Sequence, residues 1–153
     1  MILENVNLEQ IGVVRNQVAS RKEMTTLGVP SSVELLPAYT AGLLWIEKHT
    51  HLWVLTWLHT ATRDAVQVTP RGIKDQGVEG LHGVFAVRSP TRPNPIGLTA
   101  ARILRVSGNR IDFDRLDFID GTPVIDLKPY FASTDAIAEA TIEGRDEPDR
   151  IRR

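Results

Sequence analysis

The sequence predicts one all-β domain, a barrel or a sandwich, with an α+β arrangement as the alternative. Three observations carry this. Short runs rich in β-branched and aromatic residues recur along the chain, turn residues separate them at close spacing, and few segments show a helical period. The 153 residues suffice for a single core without staples. The domain is expected over residues 1–135, and a charged, mobile C-terminal tail over 136–153, where aromatics vanish and the chain ends GRDEPDRIRR.

The elements follow in order. Ile11–Val14 reads as a strand. A polar loop, Arg15 to Ser32, is punctuated by Gly28 and Pro30. Val33–Leu36 is a second short strand. Pro37 suits a first helical turn, so Pro37–Trp45 is expected as a short helix with Leu43 and Leu44 facing inward. His51–Leu58 is dense in Trp, Val, Leu and Thr, which favours a buried strand. Val66–Val68 is a brief strand ended by Pro70, residues 71–82 form a Gly-rich loop, and Gly83–Val87 is another short strand. Leu98–Val106 is extended, and Ser107-Gly108-Asn109 is a hairpin turn. On the return strand Ile111 and Phe113 share one face, Asp112 and Asp114 the other. Val124–Leu127 is the last strand, closed by Pro129.

Composition narrows the chemistry. There is no cysteine, hence no disulfide, no thiolate nucleophile and no thiolate metal site, which fits a reducing, cytoplasmic setting. The N-terminus MILENVNLEQ lacks the basic and apolar regions of a signal peptide. No apolar stretch is long enough to span a bilayer as a helix. A net charge of −1 gives no global field for a polyanion, so any RNA must be met by a local basic patch. His49 and His51 would share a face on a strand, but no third ligand is evident, and the expectation is no metal.

The most informative stretch is GVFAVRSPTRPNPIGLT, residues 83–99. Pro90, Pro93 and Pro95 fix φ and restrict the residues before them, so the loop is stiff and extended. A loop already ordered loses little entropy when a ligand docks. Arg88, Arg92 and Asn94 decorate it, and guanidinium groups grip carboxylates and phosphates bidentately. A rigid surface turn with solvated arginines is the plain alternative. The second stretch is LDFIDGTPVIDLKPY, residues 116–130. Asp120-Gly121 signals a turn. Asp117, Asp120 and Asp126 match no calcium-loop spacing. Asp126 and Lys128 share a strand face with Tyr130 beyond, forming either a polar pocket wall or a surface ion pair of small energy.

Together these two stretches resemble the signatures of the TsaA-like family, which includes the TrmO-type tRNA (adenine-N6)-methyltransferases. The resemblance runs from about Ile11 to about Asp135 and is weak through residues 15–32. The chain reads Pro30-Ser31-Ser32 where many relatives carry Pro-Arg-Gln. The resemblance implies a single-sheet β-barrel with a short helix and loops. It also implies a homodimer, with S-adenosyl-L-methionine bound near the subunit interface. By position, His59, Thr60, Arg88, Leu98, Asp120, Gly121, Thr122 and Pro123 fall where the family contacts this cofactor. Arg88 can meet a carboxylate, Leu98 can pack on the adenine, and backbone groups at 120–123 can bond the adenine edge.

The implied reaction methylates N6 of threonylcarbamoyladenosine next to the anticodon of tRNA. The alternatives are a methyltransferase of the same fold acting on a small molecule, or a non-catalytic cofactor-binding module. Displacement at a methyl group needs alignment and water exclusion more than covalent help. An acylated nitrogen is a poor nucleophile, so a base that removes its proton is expected. Asp126 is the first candidate, ahead of Tyr130 and His59, with Lys128 pairing to Asp126 or meeting the acceptor's carboxylate. Arg92 and Asn94 are expected to bind substrate, and Arg92, Arg102 and Arg105 to contact phosphates.

Overall fold

The computed structural model describes residues 6–69 and 80–140. Its strands are β1 (Gly12–Arg15), β2 (Val29–Leu35), β3 (His51–Trp57), β4 (Gln67–Val68), β5 (His82–Gly83), β6 (Ile96–Ser107), β7 (Arg110–Leu116) and β8 (Pro123–Pro129), followed by one α-helical turn, α1 (Ala132–Asp135). Six strands close into a barrel in the order β1-β2-β7-β6-β3-β8. Every neighbouring pair is antiparallel, while β4 and β5 form a separate small ribbon. Closure leaves the main sheet without an edge strand open to foreign pairing.

The barrel is filled from within. Val14, Val33, Leu52, Val54, Ile111, Leu116 and Val124 are wholly buried, with Phe113 almost so. β3 shows the period-2 pattern plainly: Leu52, Val54 and Thr56 point inward, while His51, Trp53, Leu55 and Trp57 are only half-buried. Ile111 and Phe113 turn inward and Asp112 and Asp114 outward, as the alternation predicts. Gly108, with φ 60°, follows Ser107 at the hairpin's first central position, where a type II′ turn calls for glycine. Gly97 serves closeness instead. A Cβ there would lie 2.4 Å from Thr56 Oγ1 and 2.6 Å from the Phe118 ring.

Four local expectations are corrected. β2 begins at Val29 rather than Val33, because Pro30 sits at a register shift between Val29 and Ser31, where a strand tolerates a missing N–H. Pro37–Leu43 is a 3-10 helix, with no side-chain cap and with Tyr39, Thr40 and Gly42 as weak helix formers. Leu43 is buried as expected, but Leu44 is 79% exposed: the helix has ended, and Trp45 at φ 73° turns the chain away. Gly83–Val87 is not a strand, since β5 stops at Gly83 and Val84–Ala86 forms a 3-10 turn that buries Val84. His82 accordingly stands in β5 rather than in a loop. Pro70, the Gly-rich loop at 71–79 and the tail from 141 lie outside the described residues.

The barrel's outer surface has two characters. Across β1, β2, β7 and β6 runs an ion-pair ladder: Arg15–Glu34 at 3.3 Å, Glu34–Arg110 at 3.4 Å, Arg110–Asp112 at 2.7 Å and Asp112–Arg105 at 2.9 Å. The Arg110 guanidinium, with Arg105 beside it, holds the Asp112 carboxyl below the usual carboxylate range. Across β3 and β6 the outer surface is largely apolar, with Trp53, Leu55, Trp57, Ile96 and Leu98 in register, while β8 beside it presents the charged Asp126 and Lys128.

Candidate functional site

The two motif stretches meet at one end of the barrel. There β1 and β3 finish, β6 and β8 begin, and the 58–61, 84–95 and 117–122 loops crowd together. The Pro-rich loop is anchored at its exit: Pro95 is fully buried, and its carbonyl accepts the Leu58 N–H at 2.8 Å. His59 and Thr60 follow on an exposed turn closed by Ala61 N–H to the Leu58 carbonyl at 2.9 Å. Leu98 is two residues into β6, faces outward and is 45% exposed.

Two arginines of the loop have opposite situations. Arg92 is half-buried, and its guanidinium donates to the carbonyls of Val84, Val87 and Ser89. It braces the loop from within, so the substrate and phosphate contacts expected of it would compete with three backbone bonds. Arg88 is exposed and has no hydrogen-bond or ion-pair partner among the described residues. A guanidinium held on a braced, proline-stiffened loop and left unpaired suits an anionic ligand.

The 117–122 turn is locked to β1 and β2 by a residue the sequence reading passed over. The Asn16 side chain donates to the Phe118 carbonyl at 2.8 Å and to Ser31 Oγ at 3.0 Å, and accepts the Val18 N–H at 2.9 Å. Its backbone N–H meets Asp120 Oδ1 at 3.1 Å. The N–H groups of Asp120, Gly121 and Thr122 donate to the carbonyls of Val18, Val14 and Ile119. Pro123 has none. Of the backbone groups expected to meet an adenine edge, the turn therefore leaves carbonyl acceptors rather than N–H donors for a ligand. Gly121, at φ 79°, makes the turn possible, and Thr122 is buried with Oγ1 bonded to the Ile119 carbonyl at 2.7 Å.

Of the expected catalytic residues, Asp126 and Lys128 point outward from β8 as a pair, and Tyr130 lies beyond the strand's end, apart from them. Asp126 Oδ2 pairs with Lys128 Nζ at 2.8 Å, and Oδ1 accepts the Leu127 N–H at 2.9 Å. That hydrogen bond raises the Lys128 ammonium above its ordinary value and keeps it charged. Tyr130 lies four residues beyond Asp126, about 13 Å along the strand at ~3.3 Å per residue, at the opposite end of the barrel. Its ring packs 5.3 Å from that of Trp53 and 6.3 Å from that of His51. It borders a cavity of about 570 Å³ shared with His51, Phe131 and Ser133. Asp135 closes this end: its carboxylate takes the Phe131 N–H at 2.9 Å and the Trp53 indole N–H at 3.0 Å.

Of the remaining sequence candidates, Arg105 is engaged by Asp112, and the Arg102 guanidinium is exposed without a partner among the described residues. His51 stands on β3, but His49 precedes it, so the two do not share a strand face. Among the described residues no three His, Asp or Glu side chains form a group that could hold a metal ion. No helix among them is long and apolar enough to cross a membrane.

A family model described as the tRNA-methyltransferase O N-terminal domain matches residues 15–136. A probable S-adenosyl-L-methionine-binding protein of Archaeoglobus fulgidus is 40% identical over 141 residues, covering 90% of this chain and 37% of the relative. A tRNA (adenine(37)-N6)-methyltransferase of Rattus norvegicus is 32% identical over 134 residues, covering 88% of this chain and 30% of the relative. The crystal structure of TrmO from Pseudomonas aeruginosa superposes with a TM-score of 0.74 at 28% identity, covering 93% of this chain and 63% of that one. The chain thus spans about a third of these two relatives and under two thirds of the solved protein.

Proposed function

Because this chain belongs to the family of the tRNA-methyltransferase O N-terminal domain, we propose that it is an S-adenosylmethionine-dependent methyltransferase whose acceptor is tRNA. The observation that carries the reading is the unpaired Arg88, set on a braced loop at the barrel end where Leu98 and the Asp120 turn also lie. The family match spans all of them.

The residues present fit the cofactor's chemistry. Arg88 supplies a fork for a carboxylate. Leu98, with Ile96 beside Trp57 and Leu55 between Leu98 and Asp126, supplies an apolar surface for a purine ring. The Asp120 turn contributes carbonyl oxygens suited to amino groups. When bound, S-adenosylmethionine supplies an electrophilic methyl group. The chain's part is to hold the acceptor nitrogen in line and keep water out.

Asp126 is the group we assign to take the acceptor's proton, and Lys128 the cation that pairs with Asp126 or meets the acceptor's negative charge. We place Tyr130 too far from the cofactor residues of the same subunit to share this task. It re-enters the site only if the apolar β3–β6 face meets a second copy of the chain, and we propose that homodimer. The exposed Ile96 and Leu98 beside the half-buried Trp53, Leu55 and Trp57 support this, an apolar patch set apart from the ion-pair ladder. The specific acceptor we propose is N6 of threonylcarbamoyladenosine next to the anticodon, in keeping with the named activity of the rat relative. Methyl incorporation from labelled cofactor into tRNA from cells with and without that modification tests it. Incorporation only into modified tRNA supports the reading. Equal incorporation into both excludes this acceptor, and none into either directs attention to a small molecule or to a cofactor-binding role.

A further inference from the structure

We infer that Arg63 is a positioning residue that fixes the donor face of Asn94 toward the methyl acceptor. The inference rests on the tRNA reading above. Arg63 lies outside both motif stretches. Its Nε donates to the Pro93 carbonyl at 2.8 Å and its Nη2 to Asn94 Oδ1 at 3.3 Å. Its guanidinium carbon stands 5.4 Å from the centroid of the Trp57 ring. One side chain therefore ties the loop after β3 to the Pro-rich loop.

The chemistry of the contact determines the amide's orientation. A guanidinium has five donors and no acceptor, so the Asn94 atom facing it must be the oxygen. The Nδ2 group then points away from Arg63, and Asn94 is exposed. The Asn94 backbone is itself fixed, since its carbonyl accepts the Ile96 N–H at 2.8 Å. Backbone and side-chain oxygens are thus occupied inside the loop, and two N–H donors face outward. An exposed donor on the rim meets the ligand that arrives from solvent, which here is the acceptor and its oxygen atoms. A lysine at position 63 cannot reproduce the fork, because a point charge does not fix two acceptors in one plane.

The experiment separates cofactor binding from acceptor binding in wild type, Arg63→Ala, Arg63→Lys, Asn94→Ala and the double variant Arg63→Ala/Asn94→Ala. Calorimetry gives the Kd for S-adenosylmethionine, and methyl incorporation gives kcat and KM for bulk tRNA. The expected result is a KM for tRNA raised about tenfold in Arg63→Ala and Asn94→Ala, the loss of one well-placed hydrogen bond to a charged partner. The double variant should be no worse than either single one, because both remove the same contact. Arg63→Lys should not restore the KM, and the cofactor Kd should stay within twofold throughout. A purely structural brace would instead raise cofactor Kd together with KM, since Leu98 and Arg88 share the loop, and that would overturn the inference. An unchanged KM in Arg63→Ala, or additive losses in the double variant, would overturn it too. A wild type that binds cofactor but methylates no tRNA overturns the tRNA reading and this inference with it. An active wild type with unaffected variants overturns this inference alone.

Discussion

Leu98 and Asp126 flank Leu55 on the outer face of the barrel, one on each neighbouring strand. At ~4.8 Å per strand spacing they stand about 10 Å apart. That span suits a methyl donor resting on one and an acceptor proton reaching the other. The relationship is made by a bulge. Val124 pairs with Thr56 and Asp126 with Leu55, so Ile125 is extra, and only with it do Val124 point inward and Asp126 outward.

Asp126→Asn should therefore lower kcat by roughly 10²-fold, at the low end for loss of a general base, while leaving the cofactor Kd nearly unchanged. Leu98→Asp should do the reverse, weakening cofactor binding first. Calorimetry and single-turnover methylation distinguish the two. An Asp126→Asn enzyme with full kcat removes Asp126 from the mechanism.

The Asp135 carboxyl is held below its ordinary value by the Phe131 N–H and by the Trp53 indole. With the folded pKa depressed, its stabilising contribution is present above the unfolded value of ~3.9 and is lost as pH falls through the lower, folded value. The Trp53 indole N–H resonance should titrate with a midpoint below that of a free aspartate, and Asp135→Asn should abolish the transition. A midpoint at or above ~4 would contradict the assigned hydrogen bonds.

Gly97→Ala should destabilise the barrel by about 1–3 kcal/mol, the usual range for overpacking, because the added methyl meets Thr56 Oγ1 and the Phe118 ring. Urea unfolding measures it. A loss within error would mean that β6 can move away from β3 at little cost.

Thr56→Val should raise stability by ~1 kcal/mol. The Thr56 hydroxyl is buried without a hydrogen-bond partner among the described residues, and an unsatisfied buried group carries a desolvation penalty that a methyl of similar shape does not. The same urea experiment reads the gain. A destabilised Thr56→Val would show that the hydroxyl has a partner in solution.

Much of the barrel was legible because its strands obey one rule. Composition marked His51–Leu58 as a strand, alternation placed Ile111 and Phe113 inward and Asp112 and Asp114 outward, and Gly108 marked the hairpin. The errors fell where a single residue changes the backbone's course: Pro30 at a register shift, Trp45 at positive φ, and Val84 pulling the chain into a 3-10 turn. In the site, the exposed Arg88 and Leu98 and the Asp126–Lys128 pair could be anticipated from motif and parity. The roles of Arg92, Asn16 and Arg63 could not. Arg92 bonds carbonyls within its own loop, which composition cannot distinguish from a ligand contact. Asn16 and Arg63 act across 102 and 31 positions of sequence, and no local pattern reports contacts at that range.

The most direct test of the central claim is the melting temperature with and without S-adenosylmethionine. A ligand that binds only the native state stabilises it by mass action, by about 2.7 kcal/mol at a hundredfold excess over Kd. Wild type should melt several degrees higher in millimolar cofactor, and Arg88→Ala, equally stable alone, should show most of that shift removed. No shift in wild type, or an equal shift in Arg88→Ala, would contradict the account: the first by denying the cofactor, the second by denying the site.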